Sequence, residues 1–139
     1  MMPTQANLLG NVHGGWIMKL VDEAGALSCM RHSQKKVVTV AVDHMTFNHP
    51  IRIDDLVIIN AEVSYVGNTS MEAEVQVYAE NPATGEKRHT NRAFLVYVAL
   101  DSRGKPTKVR PLILETDDQK QRFEEGKIRQ TRRLERVAR

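Results

Sequence analysis

The sequence predicts one α+β domain in which a single long central helix is wrapped by a curved antiparallel sheet. Apolar letters recur at helical spacing in one early segment, and four later segments rich in Val, Ile, Thr and aromatic residues are separated by short turns. The chain has 139 residues, which is room for one hydrophobic core. We therefore place the domain at residues 1–115 and a charged C-terminal helix or disordered tail at 116–139.

The predicted helix begins within the stretch NLLGNVHGGWIMKLVDEAG, residues 7 to 25. Its apolar positions from Trp16 to Leu27 recur every three or four residues, as on a helix with one buried face. We expect it to end near Arg31 and His32, because basic side chains suit the negative end of the helix dipole.

The four predicted strands are VVTVAVDHMTFN, DLVIINAEVSYV, SMEAEVQVYAEN and HTNRAFLVYVALD. VGNTS joins the second strand to the third, and NPATGEK joins the third to the fourth. Both connections have the length of a hairpin turn, so these three strands should run antiparallel.

Charge and cysteine content narrow the choice of partners and compartment. The formal net charge is +3, and the excess of basic residues lies entirely beyond Glu115. A balanced domain argues against a nucleic-acid-binding face. The single cysteine, Cys29, forms no intramolecular disulfide and the chain has no signal or membrane-spanning pattern, so we expect a cytoplasmic protein without membrane insertion.

Asp22 is the unusual residue of the predicted helix. Helical spacing places it on a strip of small or apolar residues: Gly15, Met18, Gly25, Ala26 and Cys29. A partly desolvated carboxylate on such a strip has the strengthened basicity that a general base or nucleophile needs. A structural aspartate that is bonded to a neighbouring strand explains the pattern equally well.

Glycines precede the helix at Gly14 and Gly15, directly after His13. Backbone N–H groups at the positive end of a helix can hold a phosphate or a developing oxyanion. The chain has neither of the common phosphate-binding motifs, which favours the oxyanion, although glycines at a helix start also occur for steric reasons.

Three segments in order, ANLLGNVHGGWIMKLVDEAG, VVTVAVDHMTFNHP and HTNRAFLVYVALD, resemble the hotdog-fold acyl-CoA thioesterases. This is the group that contains the bacterial broad-range enzymes and the brain acyl-CoA hydrolase. The resemblance covers residues 7 to 106. It implies that two protomers pair their sheets side by side, with active sites between them, and that dimers assemble as a trimer of dimers.

The resemblance also implies roles for the opening stretch. Asp22 would be the catalytic carboxylate, and Asn7 from the facing subunit would hold the attacking water or the thioester. N–H groups around His13, Gly14 and Gly15 would polarise the thioester carbonyl. Relatives of this group carry a further strand ahead of the asparagine loop, whereas six residues precede Asn7 here, so either this sequence is cut short or the edge strand is lost.

The resemblance matches further residues to the path of the substrate. Thr46 and Phe47 would line the acyl and pantetheine path, and a strand that ends at a proline explains them equally well. Arg92 would pair with a phosphate of coenzyme A, or it is an exposed strand arginine. The full set of expected substrate-binding residues is Thr46, Phe47, Gly67, Ser70, Asn91 and Arg92.

The resulting hypothesis is an acyl-CoA thioesterase that hydrolyses fatty acyl-CoA to free acid and CoA without a cofactor or metal. His44 and His49 lack a third metal ligand at suitable spacing, so no metal site is expected. A non-catalytic acyl-CoA-binding module or sensor of the same fold is the alternative, with a dehydratase as a further variant.

Overall fold

A computed structural model describes residues 14–138 and contains two helices and four strands within that range. The elements in chain order are α1 Gly14–Ser33, β1 Lys36–Phe47, β2 Leu56–Val66, β3 Ser70–Glu80, β4 Lys87–Leu100 and α2 Asp117–Ala138. The predicted helix and the four predicted strands are confirmed to within a few residues at their ends. The two alternatives for the edge strand concern residues ahead of Asn7, which lie outside the described residues.

The helix α1 is 20 residues long and ends one residue beyond the predicted basic pair. Gln34, the next residue, has a left-handed backbone (φ 58°) and donates its N–H to the Met30 carbonyl at 2.7 Å. This closes the last turn in the manner of a helix C-cap and redirects the chain into β1.

The four strands form one antiparallel sheet in the order β1-β4-β3-β2, so both predicted hairpins are confirmed. β1 and β2 are the two outer strands of the described sheet. The pairing of β1 with β4 is interrupted between Thr39 and Ala41 and again between Val42 and His44. Such bulges bend a strand and increase its twist, which curves the sheet at this edge.

The core lies between α1 and the inner face of the sheet. Ile17, Val21 and Cys29 on α1 are almost fully buried. The facing positions on β3 and β4 alternate along each strand and are completely or almost completely buried: Met71, Ala73, Val75, Val77, Ala79, Ala93, Leu95, Tyr97 and Ala99. The helix period and the strand period therefore meet in one apolar layer.

The helix α2 packs on the opposite, outer face of the sheet. Arg129 contacts both carboxylate oxygens of Glu72, at 2.9 and 2.7 Å, and Arg133 bonds to Glu72 at 3.0 Å and to Asp43 at 2.9 Å. The side chain of Glu72 is fully buried. Gly126 lies so close to β2 that an added Cβ would be 2.7 Å from the Cβ of Tyr65.

The C-terminal segment is thus a helix, which is one of the two alternatives that the sequence left open, and one of its faces packs on the sheet. Its arginines pair with carboxylates on the sheet, and no local sequence period reveals those pairs. Within residues 14–138, neither helix is long and apolar enough to cross a membrane.

Candidate active site

The carboxylate of Asp22 lies half-buried on the side of α1 that faces β1 and β4. Its Oδ1 accepts hydrogen bonds from the Thr39 hydroxyl at 2.8 Å and from the Tyr97 hydroxyl at 2.9 Å. Within the described residues, no group donates to Oδ2 and no lysine or arginine pairs with this carboxylate. Asp22 thus keeps one oxygen without a protein partner there and its charge without a neighbouring cation.

The strip of small residues beside Asp22 has a use that the sequence did not reveal. An added Cβ on Gly25 would contact the hydroxyl oxygen of Tyr97 and would lie 3.1 Å from two of its ring carbons. The absent side chain of Gly25 is therefore what lets Tyr97 reach the helix. At this position the Tyr97 side chain approaches the helix backbone closely.

The N-terminus of α1 lies next to the C-terminal end of β1. Both Gly14 and Gly15 are exposed, and ring carbons of Phe47 lie 3.7 and 3.8 Å from the place a Gly14 Cβ would occupy. N–H groups in the first turn point out of a helix at its positive end. Gly15 and Asp22 are seven positions apart, which is about 10.5 Å along the helix axis. Asn7 and His13 lie outside the described residues.

Thr46 and Asn91 join this end of the sheet, held by contacts within the protein. The Asn91 amide donates to the Thr46 carbonyl at 3.1 Å, and its Oδ1 accepts from Thr90 at 2.7 Å. Asn91 is fully buried. The structure thus brings Thr46, Phe47 and Asn91 near the helix start and gives Asn91 a structural task there.

The other expected substrate residues lie elsewhere in the protomer. Gly67 and Ser70 close the β2–β3 turn, where the Gly67 N–H donates to the Ser70 carbonyl at 2.9 Å. Ser70 pairs with Val98 and Phe47 pairs with Asn91, so the two groups are about 24 Å apart along β4.

Arg92 lies on the outer face of the sheet, which is the face opposite α1. Its guanidinium is 3.3 Å from a Glu74 carboxylate oxygen and stacks over the Phe94 ring at 4.9 Å. Within one protomer, Arg92 is therefore on the wrong side of the sheet to share a site with Asp22.

A large cavity of about 530 Å³ opens between α1, the β2 edge and residues 112–114. Its helix lining includes Ala24, Leu27 and Ser28, which are rotated by roughly 120–160° around α1 from Asp22. The cavity is thus on the other side of the helix from the carboxylate. We centre the candidate site on Asp22, whose carboxylate is oriented and keeps an unpaired oxygen among the described residues, although charged side chains such as Arg31 and Glu62 also line the cavity.

Sequence reasoning missed Thr39 and Tyr97, the two residues that orient Asp22. Thr39 looked like an ordinary β-branched strand residue and Tyr97 like a core aromatic residue. A buried tyrosine does need a partner for its hydroxyl, and a nearby acidic residue on the facing helix was the available signal.

The described residues support neither a cysteine nucleophile nor a metal site. Burial raises the pKa of the Cys29 thiol to about 12, which keeps the thiol protonated in the core. Residues 14–138 contain no group of three or more His, Cys, Asp or Glu side chains that could hold a metal ion.

Several known proteins are similar to this chain. Residues 9–86 match the model of the thioesterase superfamily. A cytosolic acyl coenzyme A thioester hydrolase of Rattus norvegicus is 41% identical over 129 residues, which are 91% of this chain and 34% of the rat protein. The chain therefore spans about a third of the length of that relative.

Solved structures extend the likeness to the whole fold. A hexameric acyl-CoA thioesterase superposes with a TM-score of 0.94 at 34% identity, covering 99% of this chain and 88% of that one. An acyl-CoA hydrolase from Staphylococcus aureus, solved with butyryl coenzyme A and coenzyme A, gives 0.91 at 32% identity, covering 99% and 84%. The predicted hotdog fold is confirmed, and this chain belongs to the thioesterase superfamily.

Proposed function

We propose that this protein hydrolyses acyl-CoA thioesters to a free acid and coenzyme A, with Asp22 as the reacting carboxylate. The observation that carries the proposal is the state of Asp22. It is half-buried, oriented by two hydroxyl groups, and not neutralised by any described cation. Its free oxygen can take a proton from water or attack the carbonyl carbon itself.

The Staphylococcus aureus hydrolase supports the choice of residues. Variants of that enzyme have been solved in which an asparagine, an aspartate or a threonine is replaced by alanine. The three residues follow one another at separations of 15 and 17 positions, and Asn7, Asp22 and Thr39 have the same types, order and separations here. We infer that these three residues form the corresponding group in this chain.

The reaction also needs a donor for the carbonyl oxygen. N–H groups of the first turn, around His13, Gly14 and Gly15, serve as that donor in this proposal, with the helix dipole favouring the negative oxygen. The thioester carbonyl would lie between the helix start and Asp22. Neither a metal nor a cofactor takes part, because the carboxylate and the N–H groups supply the base and the electrophilic contact.

The site is completed by a second protomer in this proposal. β1 is an outer strand of the described sheet, and Val38, Val40 and Val42 on it are 41–54% exposed. An exposed apolar edge strand is suited to pairing with another sheet. Pairing at β1 would bring the partner close to Thr39 and Asp22, where its Asn7 could reach the carboxylate.

The assembly extends beyond the dimer in this proposal. Trp16, Met18, Leu27 and Met30 expose apolar surface on α1, and a related thioesterase is hexameric. A trimer of dimers would also let Gly67, Ser70 and Arg92 contact coenzyme A that is bound to another protomer, although they lie far from Asp22 in their own.

Release of free thiol from a panel of acyl-CoAs tests the function. Wild-type protein should release coenzyme A, and Asp22→Asn should retain assembly and lose at least about 100-fold in kcat, the usual worth of a positioned acid-base group. Glu23→Gln is the matched control, because the adjacent Glu23 is exposed and pairs only loosely with Lys19, at 4.0 Å. Tight acyl-CoA binding without thiol release would instead identify the non-catalytic binding module.

A further inference from the structure

Two hydroxyl groups meet on one oxygen of Asp22. The Thr39 hydroxyl donates to Oδ1, and the Tyr97 hydroxyl shares its one proton between Oδ1 and the backbone carbonyl of Asp22, each at 2.9 Å. Among residues 14–138, nothing donates to Oδ2. The two oxygens of this carboxylate are therefore chemically different before any substrate binds.

Packing in the core holds Tyr97 in the position from which its hydroxyl contacts Asp22. Tyr97 is completely buried near the C-terminal end of β4, and its hydroxyl reaches α1 only because Gly25 has no side chain. A buried phenol without a partner would destabilise the fold, so the hydrogen bond is part of the core. The position of Tyr97 is thus set by packing on all sides, which gives Asp22 a rigid donor.

Tyr97 also remains a donor at every working pH. Burial raises the pKa of its phenol, and the hydrogen bond and negative charge of Asp22 raise it further. Cys29 on α1 is the other titratable group that acts on this phenol, and its thiol is kept neutral by burial. On the same helix, Lys19 and Glu23 are exposed and face each other.

We propose that Tyr97 is a positioning residue of the thioesterase site, which fixes the Asp22 side chain so that Oδ2 is the oxygen that reacts. This inference rests on the proposed function. Donors on Oδ1 hold the side-chain rotamer of Asp22. Whether Oδ2 takes the proton of a water or attacks the carbonyl carbon, it must point at the substrate, and the two hydroxyls turn it there.

Tyr97→Phe tests the proposal, because phenylalanine keeps the ring and removes only the hydroxyl. We expect kcat to fall about tenfold, the usual effect of losing one hydrogen bond to a charged group. KM for acyl-CoA should stay within about twofold, since Tyr97 does not touch substrate.

Tyr78→Phe is the matched control. Tyr78 lies on the outer face, and its hydroxyl makes only a long 3.5 Å contact with Gln76. Its removal should leave kcat and KM unchanged. Wild-type kcat in Tyr97→Phe would overturn the positioning role while leaving the proposed function intact.

A double-mutant cycle on thermal unfolding gives a second readout that needs no activity. Tyr97→Phe, Asp22→Ala and the double variant are compared at equal protomer concentration. If the two residues share a hydrogen bond, the double variant should lose less stability than the sum of the losses in the two single variants. Additive changes would overturn the contact. A wild-type protein that releases no thiol would overturn the proposed function, and the cycle would then decide on the contact alone.

Discussion

Asp22 and Glu72 lie on opposite faces of the same sheet and show two ways to bury a carboxylate. Glu72 is fully buried, accepts a hydrogen bond from Ser64 at 2.7 Å, and is neutralised by Arg129 and Arg133 from α2. Asp22 receives hydroxyl donors only and keeps one oxygen unpaired among the described residues. The Glu72 carboxylate on the outer face is fully paired within the fold, whereas the Asp22 carboxylate on the inner face keeps an oxygen that can react.

The two helices also differ in what their close approach to the sheet achieves. On α2, the close approach at Gly126 brings the helix backbone against β2, and all partners of Glu72 come from one chain. On α1, the close approach at Gly25 admits a side chain that orients Asp22. Glu72 thus has a complete set of partners within the protomer, as a structural carboxylate would, whereas Asp22 has an incomplete set that leaves room for a ligand or a second protomer.

The largest effect that this comparison predicts is on stability, at Glu72. Glu72→Gln leaves two arginines facing a neutral amide, and removing one partner of a buried ion pair typically costs about 3–5 kcal/mol. We expect the free energy of unfolding to fall by about that amount, with kcat of the folded protein near wild type. Chemical denaturation, together with thiol release at low temperature, measures both quantities.

Asp22→Asn should behave in the opposite way, losing turnover and little stability. The comparison would break if Glu72→Gln abolished turnover in a protein that still folds and assembles. Glu72 would then belong to the active site, despite its distance from α1 across the sheet.

The second prediction concerns the partner that Asp22 awaits. If Asn7 of one subunit serves Asp22 of the other, the inactive variants Asn7→Ala and Asp22→Asn should rescue each other when their subunits mix. Each hybrid dimer then has one doubly damaged site and one native site. With about half the dimers hybrid, activity should approach about one quarter of wild type.

Co-refolding, native mass measurement and a thiol-release assay test this rescue. Proven hybrids with no more activity than the mean of the two parents would show that one chain supplies both residues. The incomplete set of partners around Asp22 would then have to be completed within its own protomer.

Periodicity predicted α1 and the strands because burial repeats locally, every three or four residues around Ile17 and Val21 and every second residue along β3. It could not predict how α2 docks. Arg129 and Arg133 have the sequence character of a solvated helix, and their partner Glu72 lies 57 and 61 residues earlier. Such pairs depend on how distant elements register in space.

The same distinction between local patterns and long-range contacts applies to the candidate site. Asp22 was found from the sequence because an acid on a helix with an apolar face is a local anomaly. Thr39 and Tyr97 were not, because a threonine in a strand and a tyrosine in a core are ordinary there. Only the closeness of β1 and β4 to α1 shows that both hydroxyls serve one oxygen.

The third prediction tests the close approach on the outer face. In Gly126→Ala the new Cβ would lie 2.7 Å from the Cβ of Tyr65, and neither atom can rotate away. Overpacking costs about 1–3 kcal/mol, and the better helix propensity of alanine returns up to about 1 kcal/mol. We expect a net loss near 1–2 kcal/mol in unfolding experiments, with kcat unchanged.

Lys127→Ala, at an exposed position on the same helix, is the control and should leave the unfolding midpoint nearly unchanged. An unchanged midpoint in Gly126→Ala would mean that α2 can move off β2 at little cost. The outer face would then be less fixed than the comparison requires.

The smallest effect is the pH dependence of the contact between α2 and β1. Burial alone would raise the pKa of the Asp43 carboxyl, but hydrogen bonds and charges of Arg136 and Arg133 outweigh it and lower that pKa. A carboxyl with a lowered folded pKa stabilises the protein above its unfolded value of about 3.9, and this contribution is lost as pH falls through the folded pKa. Because Arg136 is 61% exposed, we expect this pairing to contribute only about 1 kcal/mol to the free energy of unfolding.

The free energies of unfolding of wild type and Asp43→Asn should therefore differ by about that amount at pH 7 and converge towards pH 3. A difference that stays constant across this range would show that the stabilisation comes from packing of the side chain, since charge pairing must titrate and packing does not.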